Sequence, residues 1–80
     1  MNIRITEIHP LLRDIVARRT KMGLTQAMLA GKVSISRRTL SNIETGRYSP
    51  RRKNFDALVT VLKYSQSDRA RLQKHFYGSA

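Results

Sequence analysis

The stretch over residues 24–46 constrains the fold of this chain more than any other part of the sequence. It predicts two short helices joined by a tight turn, because Thr25 and Ser36 each suit the N-cap position that opens a helix. The first of these helices covers residues 26–33 and the second covers 37–45. The second has apolar residues on one side and Arg and Asn on the other. Its apolar side must be buried, which leaves a basic side facing outward.

The charge balance supports an acidic partner for that outward side. The chain has 16 Lys and Arg against 5 Asp and Glu, a formal net charge of +11. An excess of this size attracts polyanions, with nucleic acid the first candidate and an anionic membrane surface the second. Over residues 37–53, six basic residues accompany a single acid, Glu44. We therefore expect the second short helix and the connection after it to face the acidic partner.

Length and composition exclude several classes of protein. Eighty residues predict one domain, over 1–80, with a small core that buries about 60% of the unfolded surface. The chain has no cysteine, which excludes disulfides and thiolate metal sites. No apolar run approaches the roughly 18 residues of a membrane span, and no secretory signal is visible. We expect a soluble cytoplasmic protein that needs no metal and no cofactor.

Three further helices are predicted around the central pair. A first helix begins at His9 or Pro10, where proline suits the first helical position, and ends at Gly23. A fourth covers about residues 53–64, and a fifth covers about 66–76. The fourth has the apolar spacing of a core-facing helix, through Phe55, Leu58, Val59 and Leu62. Five helices with short loops and no core strand predict an all-α domain.

A set of residues at characteristic spacing runs from about residue 12 to 62 of the chain. Its members are Arg19, Gly23, Leu24, Thr25, Gln26, Leu29, Ala30, Val33, Ser36, Glu44, Gly46, Pro50 and Leu62. On these residues the stretch resembles the phage-repressor helix-turn-helix domains, also called the Cro/repressor-like or XRE family. The resemblance implies a compact five-helix, lambda-repressor-like fold. It also implies a sequence-specific, double-stranded-DNA-binding transcriptional regulator, with repression the favoured role.

The helix over 37–45 matches the recognition helix of that family, which enters the major groove. By position, Arg37, Arg38 and Asn42 match the residues used for base readout. Arginine can donate two hydrogen bonds to guanine O6 and N7, and asparagine can pair similarly with adenine. Ser41 is expected to contact a base or a phosphate.

Phosphate contacts are expected on both sides of the recognition helix. Gln26 matches a family glutamine that bonds a backbone phosphate at a helix N-terminus. Such contacts set register and affinity but carry no sequence information. The other expected phosphate contacts are Ser36, Thr45, Arg47, Arg51, Arg52 and Lys53. The resemblance also pairs Glu44 with Arg19 as a structural ion pair.

This chain departs from the family pattern at four positions. Ser34 and Lys63 stand where glycine is frequent. The sequence leaves the geometry of the turn at Ser34 open, because the turn there can need a positive φ, and at Lys63 we expect the fourth helix to extend further or to meet the fifth differently. Arg52 replaces a buried aliphatic residue, which suggests that the connection moves toward phosphate. Met28 replaces a frequent acid on an exposed face and is a candidate partner contact.

One recognition helix covers only a few base pairs, so we expect a homodimer on a near-palindromic operator with half-site centres about 34 Å apart. The candidate dimer contact is the fifth helix, through Leu72, Phe76 and Tyr77, with burial of these side chains in the core as the alternative. Residues 1–8 alternate in polarity and form a candidate arm. That arm reaches DNA with Arg4 or pairs across the dimer, unless it is a frayed terminus.

Two other functions compete with this interpretation. Domains of this family also serve as antitoxins, which bind a toxin partner and DNA together. A partner surface would use Met28, Tyr64, Phe76 and Tyr77. RNA is a weaker candidate, because the A-form major groove does not admit a helix. Catalysis is not expected, because the only histidines, His9 and His75, accompany no cysteine or carboxylate cluster.

Overall fold

The computed structural model describes residues 8–78 and contains five helices in that range. They are α1 (Pro10–Lys21), α2 (Gln26–Val33), α3 (Arg37–Glu44), α4 (Arg52–Val61) and α5 (Gln66–Tyr77). No strand occurs among the described residues, and the predicted all-α class is confirmed. The predicted arm over 1–8, apart from Ile8, lies outside them. Each helix within residues 8–78 is too short or too polar to cross a bilayer.

Local hydrogen bonds determine where four of the helices begin. Thr25, Ser36 and Ser65 each accept a bond from the backbone N–H three residues later, at 3.0–3.2 Å. His9 caps α1 differently, because its Nδ1 accepts from the N–H two residues later at 3.1 Å. Each bond satisfies a donor that the first turn of a helix leaves free. In α4 the N-cap is Arg51, whose side chain makes no such bond.

Two non-glycine residues adopt the left-handed conformation, and they are the two that replace the glycines frequent in the family. Ser34 has φ 62° and Lys63 has φ 57°. At Lys63 the chain leaves α4, and Tyr64 N–H then bonds back to Val59 O at 3.0 Å. The prediction that α4 continues to residue 64 is therefore wrong, because a left-handed residue closes the helix after Val61.

Every helix contributes to one apolar core. Leu40 and Ile43 bury the inner side of α3, and the predicted stripe of α4 is buried along its full length. Ile15, Leu29 and Phe55 are fully buried, at 0% exposure. The buried apolar residues are Leu12, Ile15, Leu29, Ala30, Val33, Leu40, Ile43, Phe55, Leu58, Val59, Leu62 and Leu72.

A buried carboxylate joins the first three helices. Glu44 is 3% exposed and accepts from Arg19 Nε on α1 at 2.8 Å and from Gln26 Nε2 on α2 at 2.8 Å. Arg19 also donates from Nη1 to Leu24 O at 2.9 Å, which ties the connection between α1 and α2 to the same group. The carboxylate thus fixes α3 against the two helices before it.

Glu44→Ala should lower the free energy of unfolding by about 3–5 kcal/mol, because it leaves the largely buried Arg19 guanidinium without its counter-charge. Urea unfolding measures the loss. The matched control is Asp56→Ala, which removes a carboxylate from an ion pair with Arg69 whose side chains are 58% and 44% exposed. That change should cost less than about 1 kcal/mol. Equal losses for the two variants would contradict the structural role of Glu44.

Two neighbouring histidine rings connect the start of α1 to the end of α5. The ring centroids of His9 and His75 lie 4.3 Å apart, with the planes tilted by 36°. Desolvation by burial lowers the pKa of His75 below its ordinary 6.5, and the electrostatic influence of His9 lowers it further. The folded protein therefore binds a proton at His75 less readily than the unfolded chain does.

This difference predicts that stability is lost as the pH falls from 6.5, the ordinary value of the pKa, through the lower folded value. The melting temperature of the wild-type protein should fall as the pH is lowered from about 7.5 to 5.5. The melting temperature of the His75→Gln variant should fall less over the same range. Asp68, whose pKa Arg18 holds below 3.8, titrates outside this window. Identical falls in both proteins would rule out His75 as the source.

Candidate nucleic-acid interface

The outward side of α3 is positioned from beneath by the core and the Glu44 carboxylate. Leu40 and Ile43 hold one side of the helix in the core. The opposite side presents Arg37 and Arg38, which are exposed, together with the half-buried Ser41 and Asn42. The structure thus places all four predicted base-contact residues on one short helix, at or near its outer surface.

The turn between α2 and α3 is compact and closed by backbone bonds. Ser34 ends α2 in the left-handed conformation, and Ile35 N–H bonds to Ala30 O at 3.0 Å. Ile35 is half-buried against the core. Ser36 then caps α3. At the end of α2, Ser34 therefore takes the left-handed conformation that glycine adopts at least cost.

The connection after α3, which we call the basic loop (residues 47–51), folds back onto α3. The backbone N–H groups of Arg47 and Tyr48 both point to Asn42 O, at 2.9 and 3.4 Å. Gly46 allows this reversal with φ 82°, and a Cβ there would lie 3.1 Å from Leu12 Cδ1. The basic loop is consequently held close to the last turn of α3.

The described carboxylates are not paired with the exposed cations around α3. The four carboxylates of residues 8–78 all pair with arginines of α1 or α5: Asp14 and Asp68 with Arg18, Glu44 with Arg19, and Asp56 with Arg69. No carboxylate in that range pairs with the exposed cations of α3, the basic loop or the start of α4. These cations are Arg37, Arg38, Arg47, Arg51, Arg52 and Lys53.

The first turn of α4 adds unfilled donors to this positive side. Its N-cap, Arg51, makes no side-chain bond to the free N–H groups of the turn. The other four helices are each capped by a side chain. A helix N-terminus with free N–H groups favours an anion, and here Arg51 and Lys53 flank it. The arrangement suits a phosphate group.

Several residues predicted to contact phosphate make bonds inside the protein instead. Gln26 Nε2 donates to Glu44, and Thr45 Oγ1 donates to Ser41 O at 2.8 Å. Ser36 Oγ donates to Thr39 Oγ1 at 2.8 Å. These bonds use the only hydroxyl proton of Ser36 and of Thr45, but only one of the two amide hydrogens of Gln26.

Arg52, another predicted phosphate contact, is also engaged within the protein. Its guanidinium carbon lies 4.0 Å from the centroid of the Tyr77 ring on α5. The side chain is exposed and covers an aromatic face of its own protein, a favourable cation–π arrangement. Where an aliphatic residue is common in the family, this chain therefore packs an arginine against a tyrosine.

The predicted dimer contact divides into buried and partly exposed residues. Leu72 is 1% exposed and belongs to the core, so the alternative expectation applies and Leu72 offers no surface to a second copy. Phe76 and Tyr77 are half-buried and pack against the core. Tyr64 is likewise half-buried. Of the four residues expected in a partner surface, Met28 is exposed, at 49%.

Sequence reasoning missed two features of this side. Tyr48 is 64% exposed beside Arg47, and its neighbour Ser49 bonds to the backbone of α5 at Phe76. An aromatic residue inside a basic stretch is a signal for Tyr48. The Ser49 bond joins residues 27 positions apart, so no local sequence pattern predicts it.

Residues 8–78 contain no group of three or more His, Cys, Asp or Glu side chains that could hold a metal ion.

Comparison with known proteins assigns the chain to a family. The profile of the helix-turn-helix family matches residues 15–65, which is more than half of the 80 residues. No curated protein and no solved structure matches the chain. The matched region includes the turn, α3 and the basic loop described above. The chain therefore belongs to the XRE-type helix-turn-helix family and is a DNA-binding regulator of that type.

Proposed function

We propose that this protein is a sequence-specific transcriptional repressor that binds a near-palindromic operator as a homodimer, with α3 in the major groove. The observation that carries the proposal is the outward side of α3, where two exposed arginines lie within a positive surface that no described carboxylate neutralises. The core and Glu44 hold this helix in place, so its donors are oriented before DNA binds.

Base readout belongs to the side chains that project from α3. Arg37 and Arg38 occupy the first turn, which is the part of a recognition helix that meets base edges. Each can donate two bonds to a guanine, and Asn42, one turn later, can pair with adenine. Ser41 lies between them and suits a base edge or a phosphate.

Phosphate binding belongs to Arg47, Arg51 and Lys53 together with the uncapped first turn of α4. These cations are exposed and follow α3 directly in the chain, and contacts from them to phosphate would set the register of the helix in the groove. Gln26 retains one amide hydrogen for a phosphate on the other side of the turn, while its bond to Glu44 holds the amide in place. Ser36, Thr45 and Arg52 serve the protein's own structure.

A homodimer follows from the small footprint of one recognition helix. Two copies related by two-fold symmetry would place their α3 helices about 34 Å apart on successive major grooves. The partly exposed Phe76 and Tyr77 are the candidate contact between copies, without Leu72. A basic monomer of this size would otherwise rely on charge, which does not discriminate between sequences.

Replacing one cation in each part of the surface separates base readout from phosphate binding. Arg38→Ala should cost roughly 1–3 kcal/mol on the preferred site and relax the preference at one base position. Lys53→Ala, which also removes one exposed charge, should weaken binding to all sequences alike and reduce the salt slope by about one. Fluorescence anisotropy on the preferred duplex and on its single-base variants measures both. A uniform loss for Arg38→Ala would make it a phosphate contact.

Selection from random duplex DNA at near-physiological salt tests the proposed function directly. Enrichment of an inverted repeat would support sequence-specific binding by a two-fold dimer. Enrichment of a single half-site would keep the sequence-specific function and remove the homodimer. Tight binding at low salt without any enrichment would mean that charge alone drives the affinity, and would overturn the proposal.

A further inference from the structure

The last turn of α5 contacts the basic loop and the start of α4 at three points. Ser49 Oγ donates to Phe76 O at 3.0 Å. The Tyr77 hydroxyl donates to Pro50 O. The guanidinium of Arg52 lies over the Tyr77 ring, 4.0 Å from its centroid. Two hydrogen bonds and one cation–π contact therefore fasten three successive parts of one short segment to α5.

The Tyr77 ring is itself held by the core. It lies edge-on to Phe55, with ring centroids 5.6 Å apart and planes at 80°, and Phe55 is fully buried. Burial raises the pKa of the Tyr77 phenol, so the hydroxyl keeps the proton that the Pro50 carbonyl accepts. The position of this carbonyl is thereby set by the packing of α5 on α4.

The basic loop is consequently anchored at both ends. At its start, Asn42 O accepts from the N–H groups of Arg47 and Tyr48. At its end, Tyr77 holds Pro50, which immediately precedes Arg51. Arg47 and Arg51, the two loop cations that we propose bind phosphate, thus extend from a segment that is already ordered. Groups that are ordered beforehand bind with a smaller entropic cost.

We infer that Tyr77 is a positioning residue for DNA binding, which orients the basic loop toward phosphate from a helix that contacts no DNA itself. The inference rests on the proposed function and extends it, because Tyr77 lies outside residues 15–65, the region that matches the family profile. Arg52 is the second part of the same clamp. Its charge covers Tyr77 instead of binding a phosphate.

The first experiment compares Tyr77→Phe with Tyr64→Phe in the full chain. Both changes remove one hydroxyl from a half-buried tyrosine, and the Tyr64 hydroxyl, which lies near Asp14, makes no hydrogen bond to the basic loop. With both variants more than about 95% folded by circular dichroism, Tyr77→Phe should weaken binding about threefold to tenfold on specific and random duplexes alike. Tyr64→Phe should bind like the wild-type protein.

A double-mutant cycle identifies where the effect acts. If Tyr77 works through the loop cations, Tyr77→Phe should cause little further loss of affinity in a protein that already carries Arg51→Ala, because the two residues share one function. The loss should remain in full in an Arg38→Ala background, since Arg38 lies on α3. An effect of Tyr77→Phe that is equal in both backgrounds would contradict positioning through the basic loop.

Amide hydrogen exchange tests the clamp without DNA. Exchange at the Arg47 and Tyr48 N–H groups should be faster in Tyr77→Phe than in the wild-type protein and unchanged in Tyr64→Phe. Unchanged exchange in Tyr77→Phe would overturn the clamp, and faster exchange with unaltered affinity would overturn its role in binding. Failure of the proposed function would look different: the wild-type protein itself would select no DNA sequence.

Discussion

The buried carboxylate of Glu44 is the interaction on which the position of α3 depends. It accepts hydrogen bonds from Arg19 on α1 and Gln26 on α2, so three helices converge on a group that is 3% exposed. A buried charge is tolerated only when it is paired and hydrogen-bonded. The same bonds that satisfy it orient Gln26 at the edge of the positive surface. The hydrogen bonds to Glu44 therefore both stabilise the fold and fix the position of α3, which carries the exposed arginines.

The remaining acids explain why that surface is positive. Asp14, Asp56 and Asp68 pair with arginines of α1 and α5. Their negative charge is therefore not paired with the exposed cations of α3 and the basic loop. The exposed arginines of α3 and the basic loop keep their charge, and a charge that is uncompensated locally attracts a polyanion more strongly than the net charge alone implies. In the proposed function, specificity comes from the donors of α3 and the basic loop adds affinity.

Local patterns in the sequence were sufficient for most of the fold. The N-caps Thr25 and Ser36 act as predicted, and the apolar spacing of α4 identifies its buried side. The predicted end of α4 was wrong, because no local sequence pattern shows that Lys63 takes a left-handed conformation. Arg52 was expected at phosphate and lies against Tyr77, 25 residues away along the chain. Both differences arise where the chain departs from the family pattern and a distant contact or a backbone constraint decides the outcome.

The sequence by itself determined the helices, the buried side of each and the outward side of α3, because caps and apolar periodicity act between residues three or four positions apart. It also determined the charge excess. The tertiary structure alone decided how that charge is divided, since the pairs that remove it join residues up to 50 positions apart. The tertiary structure also decided that α5 holds the basic loop, through the hydrogen bonds from Tyr77 to Pro50 O and from Ser49 to Phe76 O. Such contacts form only when the core has packed, and no local spacing encodes them.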